Sequence, residues 1–110
     1  MDGTTFGIDV DHTAAGLRFS LRGELDLATA EQALAAFDRH VDGRPEVIVD
    51  LSGLTFIDSS GIRLLLQMHG RQDGRRVRFA RPSAQVGRIL DLAGIRPVFD
   101  WVEDTGAQDS

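Results

Sequence analysis

The chain has no cysteine among its 110 residues, which excludes a disulfide framework and a thiolate metal site. It has no apolar run near the roughly 18 residues that a membrane-crossing helix needs. Its start, Met1-Asp2-Gly3-Thr4-Thr5, lacks the basic and apolar regions of a secretory signal. The expected location is therefore the cytoplasm, with no membrane partner. Excess positive charge is also missing. Twelve basic against 17 acidic residues give a net charge of −5, which argues against nucleic acid as a direct partner, because phosphate binding needs a basic surface. Lysine is absent, so every basic residue is an arginine. Five of these gather at Arg71, Arg75, Arg76, Arg78 and Arg81, where a solvated helix end and strand face is expected.

Enzyme signatures are lacking too. There is no G-x-G-x-x-G, no G-x-x-x-x-G-K-[ST] and no G-x-S-x-G elbow. The histidines, His12, His40 and His69, share no ligand spacing, and His69 falls near the apolar face of a helical stretch. No cofactor is implied and no nucleophile with its base stands out. No repeat, low-complexity tract or linker divides the chain. Residues 1–110 are expected to form one domain, with a core over about 6–102 and a polar tail, 103–110, that frays.

Period and punctuation define the elements. Phe6, Ile8 and Val10 alternate with small or polar residues, and Leu17, Phe19 and Leu21 alternate with Arg18, Ser20 and Arg22. Both stretches read as half-buried strands, able to pair as an antiparallel hairpin across the loop residues of Asp11–Gly16. Ala30, Ala33, Leu34, Phe37 and Val41 recur at a helical period, with Thr29 and Gln32 in capping-box spacing and Gly43 and Pro45 as a stop. Val47-Ile48-Val49 reads as a central strand buried on both faces. A second helix is expected from Asp58 or Ser59 to about Gln72, with Ile62, Leu65, Leu66 and part of His69 inward. Val77–Ala80 is the next strand. Pro82-Ser83 opens a third helix that buries Val86, Ile89, Leu90 and Ala93, with Gly94 at its C′ position and Ile95 folding back. Val98–Val102 is expected as a short last strand. The order β-β-α-β-α-β-α-β is an α/β fold with a mixed, mostly parallel sheet.

The informative stretch runs from Val47 to Leu66, where a buried strand leads through a loop into a helix start made of Asp58, Ser59, Ser60 and Gly61. Two readings stand side by side. One is a helix N-cap, worth about 0.5–2 kcal/mol. The other is a modifiable edge: the first amides of a helix favour an anion, and a phosphate adds roughly two charges. In that reading Gly61, lacking a side chain, lets another backbone approach. Partners of open α/β sheets dock at the C-terminal strand edge. Gly23-Glu24-Leu25-Asp26 reads either as a turn with Asp26 as a cap, or as an acidic group on the same edge as Asp58.

Gly23-Glu24-Leu25-Asp26 with Thr29-Ala30, then the Val47–Asp50 strand and Phe56-Ile57-Asp58-Ser59-Ser60-Gly61, resemble a STAS domain over about Phe6–Val102, and in particular the bacterial anti-sigma factor antagonists. The resemblance implies β-α units wound as a superhelix and a non-enzymatic regulator. It implies a partner that is an anti-sigma factor with serine kinase activity, using its own ATP and Mg²⁺. The unmodified antagonist binds that partner and frees the sigma factor. Phosphorylation of the first serine of the motif, here Ser59, breaks the complex, and a serine phosphatase resets it. Asp26, Asp58, Ser60 and Gly61 become the implied partner-binding residues. The alternative within the same fold is a scaffold or regulatory subunit, in a stress-sensing complex or a lipid-transport ATPase, without a phosphorylation cycle.

Overall fold

The structure, a computed structural model, describes residues 6–14 and 16–102. The tail expected at 103–110 lies outside the described residues. Strand β1 (Gly7–His12) and strand β2 (Leu17–Leu25) are followed by helix α1 (Leu27–Val41), strand β3 (Glu46–Ile57), helix α2 (Ser59–His69), strand β4 (Arg76–Ala80) and helix α3 (Ala84–Leu92). A 3₁₀ turn over Arg96–Val98 comes last. The sheet runs β1-β2-β3-β4, with β1 antiparallel to β2 and the β2/β3 and β3/β4 pairs parallel. Two successive crossovers step in one direction, and the right-handed rule therefore sets α1 and α2 on one face of the sheet.

That face carries the core. Leu17, Phe19 and Leu21 from β2, Val47, Val49 and Leu51 from β3, and Phe79 from β4 are closed over by Phe37, Leu64, Leu65 and Met68. Phe19 meets Phe37 edge to face at 5.3 Å, the arrangement that aromatic quadrupoles favour. The other face is polar, which corrects the expectation that Val47-Ile48-Val49 is buried on both sides. Val47 and Val49 are buried, but Ile48 is only half-buried, in register between Arg18 and Arg78. The arginine cluster is ion-paired at that face and the nearby helix end: Arg71 to Asp38, Arg76 to Asp100, Arg78 to Glu46 and Arg81 to Asp50.

Asp50 is the one buried charged residue among those described, only 6% exposed. Burial pushes its carboxyl pKa up, but the Ser52 N–H at 2.9 Å and the Arg18 guanidinium at 2.8 and 3.1 Å outweigh that and hold it below the usual carboxylate range. A carboxyl depressed on folding stabilises the fold fully above its unfolded pKa, near 3.9, and loses that contribution as pH falls through its folded value. Asp50→Asn is therefore expected to cost about 1–3 kcal/mol at pH 7. In urea melts, the gap from the parent should narrow steadily as pH is lowered below about 4.

Four expectations about the elements need correction. Thr29 does not open the first helix. Asp26 is its N-cap, and Thr29 is the third helical residue of a capping box with it. In α2, which ends at His69, the inward residues are Gly61, Leu64, Leu65 and Met68, while Ile62 is half-buried and Leu66 exposed. Apolar residues at 62, 64, 65, 66 and 68 fit two helix faces, and the strand ends select the one carrying Gly61. In α3, Val86, Gly87 and Leu90 are buried, Ile89 only partly, and Ala93 is an exposed C-cap. The last strand reduces to a single parallel bridge, Phe79 to Trp101, held by the Phe79 N–H on Asp100 O and the Val102 N–H on Phe79 O, both 2.8 Å. Pro97 belongs to the preceding turn, and the Phe99 and Trp101 rings lie against Phe79 at 4.8 and 6.1 Å, so ring packing fixes this segment more than a ladder does. The end of α3 matches the sequence reading: Gly94 has φ +72°, its N–H reaches Asp91 O, and the Ile95 N–H reaches Leu90 O, a Schellman closure.

Candidate functional site

β3 does not become a loop after Asp50. It continues to Ile57, paired with β2 through two register shifts. Gly53 makes that pairing possible, since a Cβ there would come within 3.0 Å of Leu21 O and 2.9 Å of the Arg22 Cβ. The two strands finish together, Leu25 in register with Ile57. Their next residues are Asp26 and Asp58, the N-caps of α1 and α2. The two helix starts thus stand side by side at the C-terminal edge of the sheet, and the Asp58 N–H ties them by donating to Leu25 O at 3.2 Å.

Each residue singled out from the sequence has a distinct place on this edge. The Asp58 Oδ1 accepts from the Ser60 N–H at 2.9 Å and the Gly61 N–H at 3.1 Å. The Asp26 Oδ1 accepts from the Thr29 N–H at 3.2 Å, and the Thr29 hydroxyl oxygen accepts from the Asp26 N–H at 3.0 Å. Ser59 is the first residue of α2 and is exposed, whereas Ser60 is half-buried toward α1. Gly61 is buried. A Cβ on it would sit 2.5 Å from the Ile57 Cγ1 and 2.7 Å from Leu25 O. The sequence reading that another backbone can approach here is met by the chain's own: the bare backbone makes room for the strand ends at Leu25 and Ile57.

Sequence reasoning missed the apolar rim. Leu27, the first residue of α1, is 77% exposed, and Phe56, two residues before Asp58, is 44% exposed. Between α1 and α2 runs a groove of about 370 Å³ with Leu27, Ala30 and Leu34 on one wall and Ser60 and Arg63 on the other. The signal for Leu27 was an apolar residue next to a cap, outside the inward period of its helix. For Arg63 it was a charge four residues after Ser59.

The histidines lie elsewhere. His12 pairs in register with Leu17, at the opposite end of the sheet. His40 is in the last turn of α1, with Nδ1 2.9 Å from Ala36 O. His69 ends α2, its ring 5.8 Å from Phe99 and roughly 15 Å along the helix from Ser59. None of these rings is placed to take the Ser59 proton. Among the described residues, no helix is long and apolar enough to cross a membrane.

Comparison with known proteins gives consistent likenesses. A family described as "Mlab, STAS domain" matches residues 8–99. The anti-sigma F factor antagonist of Paenibacillus polymyxa is 29% identical over 100 residues, covering 84% of this chain and 86% of that protein. An anti-sigma factor antagonist from Mycobacterium paratuberculosis superposes with a TM-score of 0.82 at 20% identity, over 96% of this chain and 92% of the other. The anti-sigma factor antagonist SpoIIAA of Bacillus superposes in its unphosphorylated form with a TM-score of 0.67, over 94% of both chains, and in its phosphorylated form with 0.64, over 96% and 97%, each at 24% identity. At these identities the solved structures establish the shared α/β fold.

Proposed function

The chain belongs to the STAS domain family, and on that premise we propose that it works as an anti-sigma factor antagonist switched by phosphate on Ser59. Unmodified, it binds an anti-sigma factor with serine kinase activity and so releases a sigma factor in the cytoplasm. The observation that carries this reading is the placement of Ser59: an exposed hydroxyl at the head of α2, on the edge shared by the Asp26 and Asp58 caps, far from every histidine of its own chain. Such a serine suits a substrate better than a nucleophile for turnover. The kinase supplies the base, ATP and Mg²⁺, and a separate serine phosphatase removes the phosphate. In support, one structural relative has both unphosphorylated and phosphorylated forms, and this chain superposes on both. Asp26, Asp58 and Ser60 shape the docking edge, and Leu27 and Phe56 add its exposed apolar area.

Incubation with a cognate anti-sigma kinase and ATP is expected to add one phosphate to the intact mass, localised by fragmentation to Ser59 and abolished in Ser59→Ala. Phosphate on Ser60 or Ser83 instead, or a chain that stays unmodified and bound to its partner after incubation with ATP, contradicts the reading. The second outcome favours the scaffold or regulatory-subunit reading, which has its own support: the matching family's description names Mlab and not an antagonist.

A further inference from the structure

We propose that Arg63 holds the phosphate of phosphorylated Ser59 on the domain, as an ion pair along the first turn of α2. This rests on the reading of Ser59 as the phosphoacceptor and adds where the new charge goes. A phosphate at a helix start ordinarily takes the free amides of the first turn. Here the Ser60 and Gly61 amides already donate to the Asp58 carboxylate at 2.9 and 3.1 Å. The phosphate meets a like charge where these two donors are occupied, which favours a further partner over unseating the cap.

Arg63 is that partner. It lies four residues after Ser59 on α2, a spacing that brings Cβ atoms to about 5–6 Å. An anion N-terminal to a cation is the more favourable order at this spacing. Arg63 is exposed, lines the groove next to Ser60, and has no hydrogen bond or ion pair to a described residue. Glu31 lines the same groove from α1 without pairing to it. By contrast, Arg18, Arg22, Arg71, Arg76, Arg78 and Arg96 each already hold a carboxylate. The guanidinium offers paired donors that match phosphate oxygens. With the phosphate drawn to Arg63, Asp58 keeps its two amides and the start of α2 stays folded.

The test uses the full chain with phosphoserine installed at position 59 during translation, so no kinase is involved. The readout is the ³¹P titration of that phosphate, whose second pKa is ordinarily about 6. The pair favours the dianion, so Arg63→Gln is expected to raise the midpoint by about 0.2–0.4 unit, and Arg63→Lys to restore part of the difference. The Ser60 and Gly61 amide resonances should hardly move between the serine and phosphoserine chains. An unchanged midpoint in Arg63→Gln overturns the proposal, as does a large displacement of those two amides, which would mean that the phosphate has replaced Asp58. Failure of a kinase to modify Ser59 would count against the phosphorylation cycle and leave this titration unaffected.

Discussion

Phosphate on Ser59 is expected to weaken binding to the anti-sigma partner about a hundredfold. Ser59 is exposed at the head of α2, flanked by two capped carboxylates and an apolar rim, so a partner seated on this edge must come close to it. Two added charges about 5 Å from one partner carboxylate cost roughly 6 kcal/mol at an effective dielectric of 20, before salt. Screening, and the share of charge neutralised by Arg63, reduce this to about 3 kcal/mol, and each 1.4 kcal/mol is a factor of ten in affinity. Titration calorimetry of both forms against the partner measures the ratio. The loss should shrink at high salt, and Ser59→Asp, with one charge and less bulk, should reproduce only part of it. Equal affinities for the two forms would remove the electrostatic switch.

Gly61→Ala is expected to destabilise the domain by about 2 kcal/mol, or roughly 10 °C in Tm. The new methyl would collide with Leu25 O at 2.7 Å and the Ile57 Cγ1 at 2.5 Å. The first contact is with backbone at the junction of the two strands, which cannot rotate away. Replacing a helical glycine by alanine normally stabilises by up to about 1 kcal/mol, so a net loss isolates the steric cost. The same strand ends carry Asp26 and Asp58, so partner binding should fall as well, in step with stability. A variant that melts like the parent yet fails to bind would instead return Gly61 to the partner interface.

How far the sequence led depended on whether one local rule settled each element. The alternation of Leu17, Phe19 and Leu21, the Asp58 cap and the Gly94 closure are local, and each appears in the structure. The long reach of β3 was hidden because Ser52, Gly53 and Thr55 break the apolar period. Pairing with β2 and the empty space at Gly53 keep the strand extended. The buried face of α2 was ambiguous because its apolar residues outnumber one helix stripe, and only the close approach of Leu25 and Ile57 to Gly61 decides it. Val98–Val102 looked like a strand from its residue types, but Pro97 and three packed aromatic rings make it a turn and one bridge. Asp50 gave no sign of burial, since Arg18 lies 32 residues away in sequence and meets it only across the β2/β3 pair. At the site, the Asp58 cap and an edge shared with Asp26 were both among the readings of the sequence, whereas the side-by-side placement of the two helix starts required the Leu25–Ile57 register.

The central claim is that the switch is a charge placed on an unchanged fold, and backbone amide spectra of the unmodified and Ser59-phosphorylated chains test it most directly. The account predicts shifts confined to Phe56–Leu65 and the adjacent start of α1, small at the Ser60 and Gly61 amides that stay on Asp58, with the α3 and Phe99–Val102 resonances in place. Widespread shifts through α3 and the Phe79–Trp101 bridge would contradict it, and would mean that the phosphate acts by rearranging the domain.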